Sequence, residues 1–467
     1  MSSSLKSFFK PRGIAVIGAT PTKGKLGNVV FEVLKTRFKG KVYPVNPKYR
    51  EISGIECHPT VKDIPEDVDM AVVVVPAPIV LEVVKHCVDK GVRGVVVISS
   101  GFSEIGPEGA ERERKLIEII KGTETRIIGP NCLGVYDAYT GVDTWFLPED
   151  RMARPPKGYI AIISQSGALA AAMLDWAARM GVGIAKAVSI GNKADVDEAD
   201  LMEYFVEDPD VKVIVIYLEG LRPGTGQKFV KIAREVIKKK PVIVLKAGKT
   251  EKGTKAVASH TGSLAGAYQI YASAFKQAGI IEASSVLDLF DMARAFATQP
   301  IPRGRRVAVV TDGGGMGVMA TDALESLGLI LPETPEDVRN RLRSKLVPFA
   351  ALGNPIDVTG SVEDEHYVAA FEEVLKSDAF DMVMGIFLMQ PPLLTEKLPD
   401  KIIEVFRKYR IKPVVAVTFG GSELTLKLIR KLEEYGVPVY EIPERAAKAL
   451  WAMAYYSEIR KETSKDT

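Results

Sequence analysis

A short apolar run, a glycine-containing turn and a helical stretch follow one another three times in this chain. The three strand-and-turn segments are residues 13–18, 159–167 and 306–315. Other continuous apolar runs alternate with helical stretches, and this pattern is typical of parallel strands that are buried on both faces of a sheet. The sequence therefore predicts an α/β protein built on parallel sheets.

The length of the chain sets the number of domains. A chain of 467 residues is too long for one hydrophobic core and indicates roughly three domains of ordinary size. Residues 298–304 form a segment punctuated by proline and glycine that separates the last two blocks. We expect domains at 1–140, 141–300 and 301–460.

Composition excludes several classes of protein. A net charge of +3 without a dense basic block predicts no nucleic-acid partner, and no apolar run is long enough to predict a membrane span. The polar start, residues 1–11, does not resemble a signal peptide. Cys57, Cys87 and Cys132 lack CxxC spacing, so we expect neither disulfides nor a metal site. The sequence predicts a cytoplasmic protein.

The first block carries a candidate nucleotide site. The turn that follows the first strand contains Gly18 and Gly27 and leads into a helix, where phosphates are commonly bound. The glycine spacing is not GxGxxG, and Lys48 stands where an NAD site has an acidic residue. A lysine suits a phosphorylated ribose, so the pattern argues against NAD and favours coenzyme A or NADP.

The second and third blocks resemble divergent copies of one another. Both copies contain the same succession of strands, and each later reaches a helix that ends in glycine, at Gly279 and at Gly436. The paired strand segments are 159–167 with 306–315, 211–217 with 380–387, and 240–245 with 412–417.

The copies differ by an insertion that contains His260. Gly248 and Gly279 are 31 positions apart, whereas Gly421 and Gly436 are 15 apart, so the first copy carries about sixteen extra residues. We expect residues 259–266 to form a loop of small residues. A neutral imidazole there can attack phosphorus near neutral pH and later return the group. The alternative is a structural histidine that caps a helix beginning near residue 263.

Two helix starts could hold a phosphate beside this histidine. They are Ser164-Gln165-Ser166-Gly167 and, after Asp312, Gly313-Gly314-Gly315. Each helix start offers N–H groups without intrahelical partners and about half a positive charge. The alternative is two ordinary strand-to-helix turns.

Glu219 is the candidate orienting carboxylate. It follows an apolar run, 213–218, and so is expected at the carboxyl end of a strand. A carboxylate there can accept the Nδ1 proton of His260 and leave Nε2 free to attack. Alternatively, Glu219 is only the first solvated residue after a buried strand.

Motifs spread along almost the whole chain resemble one family. The chain is similar to the NDP-forming acyl-CoA synthetase superfamily, and within it to the α subunits of ADP-forming acetyl-CoA synthetases, relatives of succinyl-CoA synthetase. The resemblance implies a Rossmann-like CoA-binding domain followed by two flavodoxin-like, doubly wound parallel-sheet domains. The matching stretches are 16–20, 129–134, 164–167, 217–220, 259–262, 311–317 and 353–359.

The resemblance also implies roles for individual residues. His260 matches the phosphorylated histidine, Glu219 the carboxylate that orients it, and the two glycine turns the phosphate-binding helix starts. The coenzyme A contacts that it implies are Gly18, Thr20, Gly27, Lys48, Pro76 and Asn131. The implied reaction interconverts acyl-CoA, phosphate and ADP with a carboxylic acid, CoA and ATP, through an acyl phosphate and a phosphohistidine.

The resemblance further implies a second chain. The sequence contains neither a Walker motif nor an ATP-grasp-like segment, so ADP or ATP with Mg²⁺ is expected on an ATP-grasp β subunit, in an α2β2 heterotetramer. Two alternatives from other classes stay open. One is a non-catalytic module that senses CoA or acyl-CoA, and the other is a dehydrogenase that uses the first block for NADP.

Overall fold

The computed structural model describes the backbone of residues 2–261 and 268–465 and the side chains of residues 4–257 and 268–462. The chain divides into two compact units, Met1–Glu282 and Ala283–Thr467. Within the described backbone, no helix combines the length and the apolar character that crossing a bilayer requires. The division into domains at residues 140 and 300 stays a prediction.

The first unit begins with a parallel sheet in the strand order β2-β1-β5-β6-β7. The order reverses at β1, which pairs with β2 on one side and β5 on the other, as in Rossmann-like folds. The helices are α1 (Lys6–Phe9), α2 (Leu26–Arg37), α3 (Ala77–Lys90) and α4 (Pro107–Ile120). The strands are β1 (Gly13–Ile17), β2 (Lys41–Val45), β3 (Glu51–Ile52), β4 (Ile55–Glu56), β5 (Met70–Val73), β6 (Gly94–Val97) and β7 (Arg126–Ile128).

The second sheet of this unit has the order β13-β12-β11-β9-β10-β8, and β8 runs antiparallel to β10. Its helices are α5 (Gly167–Arg179), α6 (Glu198–Phe205), α7 (Gly226–Ile237), α8 (Glu251–Thr261) and α9 (Tyr268–Ala278). Its strands are β8 (Gly134–Asp137), β9 (Lys157–Ser164), β10 (Ile184–Ser189), β11 (Val213–Leu218), β12 (Val242–Lys246) and β13 (Ile281–Ala283).

The second unit contains a parallel sheet in the order β15-β14-β16-β17-β18. The nearly wholly buried α10 packs in this unit against α16, where Arg445 binds Asp291 through two bonds of 2.7 and 2.8 Å. Its helices are α10 (Val286–Thr298), α11 (Gly314–Ser326), α12 (Glu336–Arg343), α13 (Asp364–Lys376), α14 (Leu398–Lys408), α15 (Glu423–Tyr435) and α16 (Pro443–Lys465). Its strands are β14 (Val307–Thr311), β15 (Ile356–Asp357), β16 (Met382–Ile386), β17 (Val414–Val417) and β18 (Val439–Tyr440).

The topology confirms the predicted duplication. The strand order β13-β12-β11-β9-β10 is repeated, element by element, as β18-β17-β16-β14-β15. The pairing register also agrees, because Ser164 lies opposite Tyr217 and the corresponding Thr311 lies opposite Ile386. The predicted α/β class with parallel sheets is confirmed, and the strands predicted from apolar runs are present in all three sheets.

A buried ion cluster joins β8, β10 and the loop after α6. Lys186 has no exposed surface, and its Nζ lies 3.5 Å from Asp137, 3.1 Å from Asp208 and 3.5 Å from Asp210. Burial raises the pKa of Asp137, although the charge of Lys186 opposes the rise. Since a charge buried without its partner is costly, the lysine and the aspartates depend on one another.

We expect Lys186→Met to lower the free energy of unfolding by about 3 kcal/mol near pH 7, because two buried carboxylates lose their counter-ion. The loss should shrink as the pH falls towards 4, because Asp137, whose pKa is raised by burial, becomes neutral. Urea unfolding at several pH values measures both effects. The control is Lys239→Met, which removes an exposed pair with Glu207 and should cost less than about 1 kcal/mol. An equal cost for both variants would contradict the importance of the cluster.

Candidate functional site

A cavity of about 1410 Å³ lies at the carboxyl ends of strands of the first two sheets. The loops after β1, β5 and β6 line one part of it, and those after β9, β10 and β11 line the other. Carboxyl ends of parallel strands are where open α/β sheets bind their ligands. The cavity therefore joins the predicted nucleotide turn of the first block to the first predicted phosphate turn.

Close backbone contacts explain the glycines of the first turn. Gly18 has a φ of 96°, and a Cβ atom there would lie 2.3 Å from the carbonyl oxygen of Val74. A Cβ atom on Gly27 would lie 2.1 Å from the carbonyl oxygen of Gly18. Only glycine allows the first turn of α2 to approach the end of β1 this closely. The result is a helix start that a phosphate can reach.

The structure brings most of the predicted coenzyme A contacts together, with one exception. Lys48 is exposed and is not part of the cavity lining, although its backbone N–H donates to Asn46 Oδ1 at 3.0 Å. Cys132 also faces the cavity, but burial raises the pKa of its thiol to about 12, which disfavours the nucleophilic thiolate. The predicted contacts that line the cavity are Gly18, Thr20, Gly27, Pro76 and Asn131.

The start of α5 forms the opposite wall. Ser166 caps this helix, and its side chain accepts a hydrogen bond from the N–H of Leu169 at 3.3 Å. Ser164 Oγ donates to the carbonyl oxygen of Ser166 at 2.8 Å and so fixes the turn from inside. Ser166 and Gly167 line the cavity, whereas Ser164 is fully buried behind them. The positive end of α5 thus faces the cavity.

Gln165 clamps the residues that follow β11. Its Oε1 accepts hydrogen bonds from the N–H groups of Glu219 and Gly220, the second at 3.0 Å. Its Nε2 donates to the carbonyl oxygen of Gly220 at 3.0 Å. The side chain of Gln165 is therefore engaged within the protein, and it ties the phosphate turn to the candidate carboxylate.

Two buried lysines complete this clamp, and the sequence analysis did not single out either of them. Lys246 Nζ donates to the carbonyl oxygen of Glu219 at 2.7 Å. Lys193 Nζ donates to the carbonyl oxygen of Gly220 and pairs with Glu198 at 2.6 Å. The backbone N–H and C=O groups of residues 219 and 220 all have side-chain partners.

Glu219 is buried, with 4 % of its surface exposed, and is not the solvated strand end of the alternative interpretation. Burial, and then the Glu219 carboxylate to which its hydroxyl hydrogen bonds, raise the pKa of Tyr217 to about 12. Tyr217 lies opposite Ser164 in the sheet. The tyrosine thus holds the carboxylate on the side of β11, a role that its sequence position alone did not indicate.

The backbone at His260 differs from the expectation. The predicted loop through this residue is wrong, because α8 (Glu251–Thr261) includes it near its end. The extra residues of the first copy thus contain a helix that starts shortly after β12. The His260 side chain, the helix start expected near residue 263 and most of the 259–266 stretch lie outside the described part, so the geometry of His260 with Glu219 stays a prediction.

The second predicted phosphate turn has a different electrostatic setting. Asp312 is not a helix cap; its carboxylate accepts hydrogen bonds from the N–H of Leu388 at 3.0 and 3.2 Å. Burial raises the pKa of Asp312 to about 6. Asp357 Oδ2 lies 3.1 Å from where a Cβ atom of Gly314 would stand. The start of α11, with Gly313 half-buried and Gly314 and Gly315 exposed, therefore has two carboxyl groups beside it.

A hydrogen-bond network beside Asn131 was also missed from sequence. Asn192 Nδ2 donates to Glu104 at 2.6 Å, to Ser103 at 3.1 Å and to Glu113 at 3.0 Å, while its Oδ1 accepts from Asn131 at 3.3 Å. This network connects the loop after β6 to the loop after β10. Its members are far apart in sequence, so no local pattern could have revealed it.

The described side chains contain no group of three or more histidine, cysteine, aspartate or glutamate residues arranged to hold a metal ion. The described residues of the site contribute helix N-termini, a buried carboxylate and buried ammonium groups.

Three family profiles match successive parts of the chain. A CoA binding domain matches residues 12–138, a succinyl-CoA ligase like flavodoxin domain matches 157–296, and a ligase-CoA domain matches 307–460. The order agrees with the succession of the three sheets.

Individual proteins resemble the chain over nearly its full length. The α subunit of acetate–CoA ligase [ADP-forming] II of Pyrococcus furiosus is 42% identical over 96% of this chain and 97% of its own. Acetate–CoA ligase [ADP-forming] of Methanocaldococcus jannaschii is 41% identical over 97% of this chain, which spans 63% of that longer protein. A solved structure of dinucleotide-forming acetyl-coenzyme A synthetase 1 of Candidatus Korarchaeum cryptofilum, in complex with phosphate and ADP, has a TM-score of 0.93 and 39% identity, covering 100% of this chain and 99% of its own.

Gln165→Leu should lower the free energy of unfolding by about 1–3 kcal/mol, because the buried N–H groups of Glu219 and Gly220 lose their acceptor. Chemical denaturation measures the change. Gln227→Leu, on the exposed face of α7, is the matched control and should change stability by less than about 0.5 kcal/mol. A Gln165→Leu variant as stable as wild type would show that the clamp is not a structural constraint.

The stability difference between wild type and Asp312→Asn should fall as the pH rises from 4 to 7. Burial raises the pKa of Asp312 in the folded protein from 3.8 to about 6, so between these two pH values the unfolded chain binds fewer protons and the folded protein loses stability as the pH rises. Asp381→Asn is the control, for which the stability difference should change with pH in the opposite direction. Hydrogen bonds from Arg306 outweigh burial and lower the pKa of Asp381, so wild-type Asp381 loses its contribution only under acidic conditions. Parallel curves for both variants would contradict the assignment.

Proposed function

Because this chain belongs to the family of ADP-forming acetate–CoA ligase α subunits, we propose that it converts acyl-CoA, phosphate and ADP reversibly into a carboxylic acid, CoA and ATP. One observation carries the proposal most directly. A single cavity is lined both by the glycine turn after β1 and by the start of α5. Coenzyme A and phosphate can therefore meet in one space.

Coenzyme A binds, in this proposal, along the first part of the cavity. Gly18, Thr20 and Gly27 receive its phosphates at the start of α2, and Pro76 and Asn131 flank the path towards α5. Lys48, exposed and outside the lining, is the weakest of the proposed contacts. The thioester then lies near Ser166 and Gly167.

Acyl transfer is the first chemical step. A phosphate oxygen attacks the thioester carbonyl carbon, the C–S bond breaks, and the CoA thiolate leaves with the electron pair. The N–H groups at the start of α5, at Ser166 and Gly167, stabilise the negative charge that develops on oxygen. The product is an acyl phosphate held at the positive end of this helix.

Phosphoryl transfer to His260 follows. The Nε2 atom attacks phosphorus, the bond from phosphorus to the acyl oxygen breaks, and the carboxylate product leaves with that electron pair. Glu219 accepts the Nδ1 proton in a hydrogen bond and stabilises the ring as it gains the phosphoryl group. The side-chain clamp around residues 219 and 220 supports this role, because it fixes the backbone that carries the carboxylate.

The nucleotide step needs a partner in this proposal. An ATP-grasp β subunit binds ADP or ATP with Mg²⁺, in an α2β2 assembly. A terminal phosphate oxygen of the bound ADP attacks phosphorus, the N–P bond to His260 breaks, and ATP forms while the imidazole is regenerated. The longer Methanocaldococcus relative, of which this chain spans 63%, is compatible with a chain that carries such a region in one polypeptide. We propose the second predicted turn, Gly313 to Gly315, as a further phosphate-binding helix start, beside which the carboxyl groups of Asp312 and Asp357 limit the affinity for a dianion.

The relatives are ligases by name, which favours catalysis over a sensor of CoA. His260→Ala separates the two functions: a ligase loses all turnover of acyl-CoA and keeps CoA binding, whereas a sensor keeps its signalling. Isothermal titration of CoA with the variant measures the binding.

Acid-labile phosphate on His260 is the expected product when the full chain is incubated with acetyl-CoA, phosphate and Mg²⁺. Peptide mass spectrometry locates it. Glu219→Gln should abolish or strongly reduce the label, because a neutral amide stabilises the charged ring poorly. His366→Asn changes a histidine on α13 and should leave the label intact.

The same incubation is repeated with the β subunit and a range of acyl-CoA substrates. If His260 carries no phosphate in any of these mixtures, the mechanism is wrong and the sensor becomes the better interpretation.

A further inference from the structure

Lys246 is a buried cation whose described hydrogen bonds go to main-chain oxygens. Only 2 % of its surface is exposed, and its Nζ donates to the carbonyl oxygens of Glu219 and Ala247. The ring of Tyr271 from α9 covers it, with 4.6 Å between Nζ and the ring centroid. Burying an ammonium group is costly, and a few dipoles offset that cost only in part.

The electrostatic surroundings of Lys246 are mixed. Burial lowers its pKa to about 8, against the attraction of the nearby Glu219 and Glu282 carboxylates. The positive charges of Lys249 and Lys193 lower it further. Lys246 is therefore a cation that loses its proton just above neutral pH. The charged and titratable groups that the described residues place around it are Glu219, Glu282, Lys193, Lys249 and Tyr271.

The duplicated domain provides an internal comparison. By strand register, Glu219 corresponds to Leu388 and Lys246 to Thr418, so the second copy has neither charge at this place. One hydrogen bond of the clamp is common to both copies. Asp312 accepts a hydrogen bond from the N–H of Leu388, as Gln165 accepts one from the N–H of Glu219. The carboxylate and the lysine thus occur together in the copy that carries His260.

A second lysine near β12 has similar contacts but is present in both copies. Lys240, which precedes β12, also donates to two carbonyl oxygens, and burial lowers its pKa to about 8 as well. Its counterpart Lys412 also donates to two carbonyl oxygens in the second copy, and burial lowers its pKa. The lysine at the amino end belongs to the shared scaffold, whereas Lys246 belongs to one copy only.

We propose that Lys246 is a positioning residue for phosphoryl transfer: its ammonium group holds the main chain of Glu219 and, with its charge, the carboxylate that orients His260. The inference rests on the proposed function. Lys246 forms no covalent bond in the reaction. When it loses its proton, the neutral amine keeps a hydrogen-bond donor but no longer attracts the carboxylate.

The test measures the rate at which the full chain forms acid-labile phosphohistidine from acetyl-CoA and phosphate between pH 6 and 10. Wild type should lose activity as the pH rises through about 8. Lys246→Met should be about tenfold to hundredfold slower, with an unchanged KM for acetyl-CoA and without this alkaline decline. Lys246→Arg, whose side chain stays charged, should recover part of the rate and move the decline to higher pH.

Lys240→Met is the matched control. It removes a half-buried lysine whose pKa is also lowered to about 8 and which precedes the amino end of β12, so it should reduce stability and leave the rate and its pH profile unchanged. The proposal is overturned if Lys246→Met keeps the wild-type rate and alkaline decline, or if Lys240→Met loses them equally.

A stability measurement separates this proposal from the proposed function. The pKa of Lys246 is lowered from 10.5 in the folded protein, so the stability of wild type relative to Lys246→Met should rise between pH 8 and 10.5, where the unfolded chain binds more protons. If this rise in stability is found but the rate of phosphohistidine formation does not decline over the same pH range, the positioning role is wrong and the proposed function stands. If wild type forms no phosphohistidine with the β subunit present, the proposed function has failed, and the positioning role with it.

Discussion

The clamp that three side chains form around the backbone of residues 219 and 220 is the constraint on which the site depends. The ladder of β11 ends at Leu218, and buried N–H and C=O groups beyond it need partners. Gln165, Lys193 and Lys246 supply them from the ends of three neighbouring elements. The same bonds fix the Glu219 carboxylate and tie it to the start of α5. The hydrogen bonds that pair these buried backbone groups therefore also position the carboxylate.

Duplication shows which parts of this arrangement belong to the scaffold. Both copies keep the strand order and a lysine before β12 or β17. In both, a side chain of the glycine turn, Gln165 or Asp312, accepts a hydrogen bond from the backbone that follows the neighbouring strand. The first copy differs by a carboxylate, a buried lysine and the helix α8. The second copy instead places two carboxyl groups beside its glycine turn. Small changes at a conserved topological position thus produced two different electrostatic environments.

The close approach of α2 to the end of β1 shapes the cavity. Gly18 and Gly27 let α2 approach the end of β1, and the carboxyl ends of two separate sheets then line one space. Asn192 and its three acceptors bind the two sides of this space together. Because helix N-termini meet at the carboxyl ends of these strands, anions and a polarised carbonyl group find backbone N–H donors there.

The sequence by itself determined the α/β class, the duplication, the glycine turns and the identity of the candidate groups, because apolar periodicity and glycine requirements are local properties. Tertiary structure decided what those groups touch. The hydrogen bonds of Gln165, Lys193, Lys246 and Asp312 join residues that are 27 to 76 positions apart. The exposure of Lys48 likewise depends on how the chain folds around it. The helical backbone at His260 also overruled a composition that favoured a loop. Long-range hydrogen bonds and desolvation leave no local pattern, so only the folded chain could reveal them.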